Sequence, residues 1–239
     1  HLEELVFFSV EPRSNGTLDT SRLKPAAVKL LRNLKQKYRF RLRLCIGGWE
    51  RSTAFATCTA DDAARRRFIN QMITCCHSRG FDGVDLDWEH PKGAAQQAAY
   101  TRLIVETKAA FRLQKLSVTA AIAGWQQLSA VAAKSLDRIH LMSYDAEGQH
   151  STLLQARKDI QRLREAGIPA ARICLGLPFY GRSLDKTRTA HTYAEIVRRF
   201  APAPTVDQIN GIYFNGPSTI RRKTRLADSG DWPESASGK

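Results

Sequence analysis

The chain has 239 residues, a length that supports one domain, and 37 Lys and Arg against 23 Asp and Glu give it a net charge of +14. No nucleic-acid reading element accompanies that charge, so specific nucleic-acid recognition is not expected. No apolar run reaches the ~18 residues of a membrane span, and no CxxC spacing points to zinc or redox work.

In chain order, a strand is expected over residues 5–10, followed by a turn at 15–19. Pro25 suits the first turn of a helix with Val28, Leu31 and Leu34 on its apolar face. A second strand is expected over 41–46. Asp61 and Asp62 then open a helix whose face carries Phe68, Ile69, Met72, Ile73 and Cys76, and Gly80 stops it. A strand over 83–88 leads to a helix with Tyr100, Leu103, Ile104, Thr107 and Phe111 on one face. Further strands fall at 116–121, 138–144 and 172–177, with a helix carrying Ile160 and Leu163 before the last. Thr192 and Glu195 read as a capping box. A short apolar run at 212–214 precedes a helix at 218–227. Strands alternating with amphipathic helices argue a parallel α/β sheet.

The five cysteines are an odd number, so at least one is free or pairs with another chain. Cys45 and Cys174 read as buried in strands, Cys75 and Cys76 as helical, and Cys58 as part of a loop. The basic runs at residues 65–67, 198–199 and 221–223 read as solvated helix faces.

The segment around the third expected strand, Asp82-Gly83-Val84-Asp85-Leu86-Asp87-Trp88-Glu89, carries most of the chemical information. Strand side chains alternate faces, so Asp85, Asp87 and Glu89 point one way and Val84, Leu86 and Trp88 the other. Carboxylates this close cannot all ionise freely, so at least one proton is expected to be shared. Such an arrangement suits acid–base chemistry. A divalent cation also wants several carboxylate oxygens, but no Asn- or Gly-rich ligand loop follows and Pro91 ends the strand. Neither a metal nor a cofactor is therefore expected.

Asp82-x-x-Asp85-x-Asp87-x-Glu89 resembles the DxxDxDxE signature of glycoside hydrolase family 18, the chitinase family. Cys45-Ile46-Gly47-Gly48-Trp49 resembles its SxGG segment, with Cys45 in place of the serine. Met142-Ser143-Tyr144-Asp145 resembles its MxYD segment. The runs at 175–182 and 213–223 resemble the segments around its seventh strand and before its last. The matches follow family order.

The resemblance implies a TIM barrel at residues 1–227, with 228–239 an irregular tail. It begins at the family's second strand, and no apolar run follows the last helix. The barrel is therefore expected to be incomplete, lacking its first and eighth strands, with open edges that invite self-association. The segment between Arg182 and Tyr213 has no room for the α+β insertion of some members, so a shallow groove is expected. The implied reaction is retaining hydrolysis of chitin or other β-1,4-linked N-acetylglucosamine oligosaccharides, with the substrate's acetamido oxygen as nucleophile. Carried over residue by residue, Glu89 is the general acid and base, Asp87 holds the acetamido N–H, and Asp85 shares a proton with Asp87. Tyr144 bonds the acetamido oxygen, and Met142 lines the methyl pocket. Asp145, Tyr180, Arg182, Gly48 and Trp49 contact the sugar. The family's first-strand tyrosine has no counterpart, and Trp232 does not stand in the context of its floor tryptophan. The reading that competes is a chitinase-like protein that binds sugar with little turnover. Family members are generally exported, which implies a secreted or periplasmic location, although the chain itself carries no signal peptide.

Overall fold

The computed structural model describes residues 2–228. Of the irregular tail expected at 228–239, Asp228 is still helical, and the rest, with Trp232, lies outside the described residues. The chain divides into two compact units. The first runs up to Ile122 and includes Gln126–Ile139; the second comprises Ala123–Trp125 and the chain from His140 onward.

The first unit is built from β1 (Glu4–Pro12), β2 (Leu18–Asp19), α1 (Pro25–Tyr38), β3 (Arg41–Gly47), α2 (Phe55–Ala60), α3 (Asp62–Arg79), β4 (Gly83–Asp87), α4 (Gly93–Leu113), β5 (Ser117–Ala123) and α5 (Ala130–Ser135). Strands β1, β3, β4 and β5 pair in parallel in that order. β2 adds an antiparallel pair at Glu11 and Pro12 of β1. The helix boundaries follow the local chemistry. Pro25 opens α1. The Asp61 carboxylate accepts the Ala64 N–H at 2.6 Å to cap α3, and Gly80 ends it in the left-handed region at φ 78°. The expected faces of α3 and α4 pack inward: Phe68, Met72, Leu103, Ile104 and Phe111 are fully buried beside Leu44, Ile46, Val84 and Leu86 of the strands.

The second unit receives the end of β6 (Arg138–Met142). It continues with α6 (Leu153–Glu165), β7 (Ile173–Leu175), β8 (Tyr180–Ser183), β9 (Ala190–Thr192), α7 (Tyr193–Phe200), β10 (Gln208–Ile209), β11 (Ile212–Tyr213) and α8 (Pro217–Asp228). The stretch after Arg182 is not a plain connection. It forms the antiparallel sheet β10-β11-β8-β9 with α7 beside it, closed around Ile196, Ile212 and Phe214. The capping box of Thr192 and Glu195 starts α7 as expected.

Three side-chain expectations are corrected. Cys58 lies in α2, not a loop, and is fully buried with its thiol directed at the Phe55 carbonyl. Cys174 is only half-buried. The basic runs are not uniformly solvated. Arg65 is 4% exposed and donates to both carboxylate oxygens of Glu106, at 2.8 and 2.9 Å, and to Asp62 at 2.8 Å. Lys223 is fully buried, and its ammonium donates to Ser151 O, Ser151 Oγ and Asn215 Oδ1 at 2.7–2.8 Å. In each case a long side chain finds enough acceptors to leave water.

Arg43 on β3 is the largest fully buried side chain, ion-paired with Glu4 of β1 at 2.6 Å and hydrogen-bonded to Ser117 of β5. It ties three parallel strands together from inside. Truncating one partner of such a pair strands the other charge in the interior. Arg43→Ala is expected to lose about 3–5 kcal/mol in urea unfolding; a loss below about 1 kcal/mol would contradict this role.

Candidate active site

The β4 side chains sort by face as the alternation requires. Val84, Leu86 and Trp88 are buried among apolar groups. Trp88 stacks on Phe55 at 5.2 Å and meets Tyr100 edge-on at 5.4 Å. On the other face, Asp85 and Asp87 are 4% and 5% exposed. Glu89 lies two residues past the end of β4, with its side chain 14% exposed. Burial therefore lessens along the row, from the two deep aspartates to the glutamate that retains contact with solvent.

Neighbouring strands supply the polar shell. Thr119, opposite Asp85 in the β4–β5 register, donates its hydroxyl to Asp85 Oδ1 at 2.5 Å. Cys45, opposite Asp85 on β3, directs its thiol to Asp87 Oδ2 at 3.8 Å. Burial, reinforced by the charges of Asp85, Asp87 and Glu89, pushes the Cys45 thiol well above the ordinary thiol range, so it stays protonated and can donate. Burial likewise raises the Tyr100 phenol, which donates to the Leu86 carbonyl at 3.1 Å.

Gly47 and Gly48 let the chain turn close against these acids. Both sit at positive φ, 98° and 100°. A Cβ on Gly47 would stand 2.3 Å from the Asp87 carbonyl oxygen, and one on Gly48 would meet the Phe8 ring at 2.5 Å. The Gly48 N–H donates to that same carbonyl at 2.8 Å. Gly48 is thus a neighbour of Asp87. Trp49, the next residue, is 68% exposed and presents a free aromatic face. Beyond it, Ser52 places its hydroxyl 3.0 Å from the carbonyls of Gly48 and Asp87, and it accepts the Glu89 N–H at 3.0 Å. His90 faces Glu89 at 3.7 Å and Gln126 at 3.2 Å.

The second unit gathers its own cluster. β6 ends at Met142, two residues earlier than expected, and Met142 and Tyr144 are half-buried just around that end. Tyr144 meets Tyr180 edge-on at 6.3 Å, and Tyr180 stacks on His150 at 5.3 Å. Arg182 donates to Asp145 Oδ1 at 2.7 Å, and its guanidinium lies 5.4 Å from the Tyr180 ring centroid. Burial tends to raise the Asp145 carboxyl, but hydrogen bonds from Arg182 and Tyr180 hold it below its ordinary value. Tyr144, Asp145, Tyr180 and Arg182, named from dispersed motifs, therefore fall in one neighbourhood within that unit, and Met142 precedes Tyr144 by two residues at the end of β6.

Sequence reasoning missed Ser52, Thr119 and His150. Thr119 was discoverable as an inward position opposite Asp85 once the β4–β5 register is known. Ser52 carried only the faint signal of a small polar residue soon after the double glycine, and His150 carried none. Among the described residues, no group of three His, Cys, Asp or Glu is arranged to hold a metal ion. No helix among them is long and apolar enough to cross a membrane.

Solved chitinase structures share the fold of this chain. A class V chitinase from Nicotiana tobaccum matches with a TM-score of 0.84 at 22% identity, over 95% of this chain and 84% of that one. ChiB of Flavobacterium johnsoniae, a GH18 chitinase, matches with the same TM-score and identity, over 95% of this chain and 77% of that one. These likenesses establish the barrel fold that the resemblance implied. The chain belongs to the glycosyl hydrolases family 18, whose model matches residues 4–230. Probable chitinase 2 of Drosophila melanogaster is 30% identical over 204 residues, covering 75% of this chain and 40% of the relative. Endochitinase 1 of Metarhizium robertsii is 33% identical over 192 residues, covering 67% and 45%. The chain spans less than half the length of the curated relatives it matches.

His150 generates a pH prediction. It is fully buried, and burial pulls its imidazole down to about 4, against the opposing pull of Asp145 at 3.9 Å. Between that value and the unfolded 6.5 the unfolded chain binds the extra proton, so folding stability must fall as pH drops through this window. His150→Phe keeps a ring against Tyr180 and removes the titration. The variant is expected to lose less stability than the wild type between pH 7 and pH 4.5 in urea unfolding, by roughly 1–3 kcal/mol. Equal losses would contradict the assignment.

Proposed function

We propose that this protein hydrolyses β-1,4-linked N-acetylglucosamine polymers, chitin or its oligosaccharides, with retention at the anomeric carbon. The observation that carries the reading is the graded row on β4, with Asp85 and Asp87 buried and Glu89 in partial contact with solvent at the strand end. Chemistry at the carboxyl ends of the strands is the rule for barrels of this kind. Family membership supports the same reaction. A Nicotiana tobaccum class V chitinase of the same fold was solved in complex with NAG4.

In this mechanism the acetamido oxygen of the substrate attacks the anomeric carbon while Glu89 gives its proton to the departing glycosidic oxygen. Glu89, then a carboxylate, takes a proton from the water that opens the oxazolinium ion. Asp87 holds the acetamido N–H so that its oxygen faces the reacting carbon, and Asp85 supports Asp87 from one step deeper. Tyr144 donates to the acetamido oxygen. Met142 lines its methyl group. Asp145, Tyr180 and Arg182 bind hydroxyls of the sugar, Gly48 lets substrate approach the acids, and Trp49 offers a stacking face. Export from the cell belongs to the same proposal and rests on the family.

A second reading, sugar binding with little turnover, is favoured by one observation. Cys45 stands where the family has serine, and a thiol at 3.8 Å is a weaker donor to Asp87 than a hydroxyl. One experiment separates the two. A positioned general acid contributes about 10²–10⁴-fold, so Glu89→Gln should lower fluorophore release from a chitobioside by at least about 100-fold while leaving affinity for chitin oligomers within a few-fold. Binding without turnover in the wild type would favour the second reading. Turnover unchanged in Glu89→Gln would remove Glu89 from the mechanism.

A further inference from the structure

We infer that Ser52 is a positioning residue for Glu89, an inference that rests on the hydrolase reading above. The β4 ladder ends at Asp87, its last residue paired with β3. Glu89 lies beyond it, so strand register does not fix where its carboxyl points. Another anchor must set the course of the main chain from Asp87 to Glu89, and Ser52 supplies one. The residue is 5% exposed. Its oxygen accepts the Glu89 N–H at 3.0 Å and lies 3.0 Å from the Asp87 carbonyl, so one hydroxyl grips the peptide groups on both sides of Trp88. The same hydroxyl stands 3.0 Å from the Gly48 carbonyl. It has one proton to give, and the two carbonyls compete for it. Gly48 in turn donates its N–H to the Asp87 carbonyl. The turn after β3 and the end of β4 are thus stitched through a single side chain.

The hydroxyl is not serving the helix that follows. The N-cap of α2 is Ala54, without a side-chain cap bond, and it is the Ser52 carbonyl that accepts the Phe55 N–H. Packing of Trp88 against Phe55 and Tyr100 fixes the middle of the segment, and the Ser52 hydroxyl fixes its ends. With Ser52 truncated, Trp88 stays in place. The Glu89 peptide is then released from its acceptor, and its carboxyl can drift from the glycosidic oxygen.

A misaimed proton donor has a specific kinetic signature. Cleavage of a sugar–sugar bond needs the proton, because the departing alcohol is a poor leaving group. Cleavage of a 2,4-dinitrophenyl chitobioside hardly needs it, because the phenolate leaves unaided. A displacement of ~1 Å can cost up to about 100-fold in rate. Ser52→Ala should therefore lower kcat/KM on a chitin oligosaccharide by about 10-fold or more, and lower kcat/KM on the dinitrophenyl substrate, which reports only the bond-breaking step, by less than about threefold. Ser52→Thr, which keeps the hydroxyl, should recover most of the loss. Thermal melts of all three proteins control for folding. Equal rates for wild type and Ser52→Ala on the oligosaccharide would overturn the inference and leave the hydrolase reading intact. Equal losses on both substrates, with a lowered Tm and no recovery in Ser52→Thr, would reduce Ser52 to a structural residue and also overturn it. A wild-type protein silent on both substrates would overturn the hydrolase reading, and the inference with it.

Discussion

The burial of two carboxylates on one face of β4 is the constraint to which the rest of the first unit answers. Asp85 and Asp87 keep almost no contact with water, and an ionised carboxylate taken out of water costs several kcal/mol unless donors replace the solvent. Both neighbouring strands meet that demand. Thr119 comes from β5 and Cys45 from β3, each at the position the parallel register sets opposite Asp85. Gly47 and Gly48 lack side chains where one would collide with the Asp87 carbonyl or Phe8. The opposite face of the strand is filled by Val84, Leu86 and Trp88, whose packing holds the acids where side-chain repulsion alone would push them apart. A one-residue slip of β4 would turn every acid into the core and every apolar group toward the site.

Charge is handled differently elsewhere in the molecule. A net charge of +14 invites a reading of the basic residues as surface or as polyanion-binding groups. Yet Arg43, Arg65 and Lys223 are buried and supplied with acceptors. Arg43 joins strands, Arg65 joins α3 to α4 through Glu106, and Lys223 anchors α8 to the backbone at Ser151. Part of the basic excess is structural. Guanidinium and ammonium groups suit such posts because each carries several donors that can satisfy several carbonyls or carboxylate oxygens at once.

The sequence disclosed the strands and helices whose patterning is long and regular. Period-two alternation in β4 and the 3.6-residue faces of α3 and α4 leave little choice of structure, and Asp61, Gly80 and Thr192 mark boundaries by chemistry that acts locally. The acids were legible for the same reason, since nothing but a strand face explains their spacing. Most other short elements were not legible. Apart from the apolar run at 212–214, which contains β11, the small sheet of β8 to β11 rests on strands of two to four residues, too brief for a period to show. Cys58 was misplaced because a one-and-a-half-turn helix has no pattern of its own. Arg65 and Lys223 were misjudged because burial of a charge depends on partners far away in sequence, Glu106 and Ser151 among them. Ser52 escaped notice because its meaning lies in three backbone groups that only the folded chain brings to it.

The account stands or falls on whether the acid row on β4 serves a reaction in which the substrate provides its own nucleophile. The direct test is the configuration of the first product. Proton NMR during cleavage of a chitin oligosaccharide by this chain should show the β-anomer at the new reducing end before mutarotation mixes the forms. Early appearance of the α-anomer would mean that a water attacks directly from the opposite face, and would contradict the account.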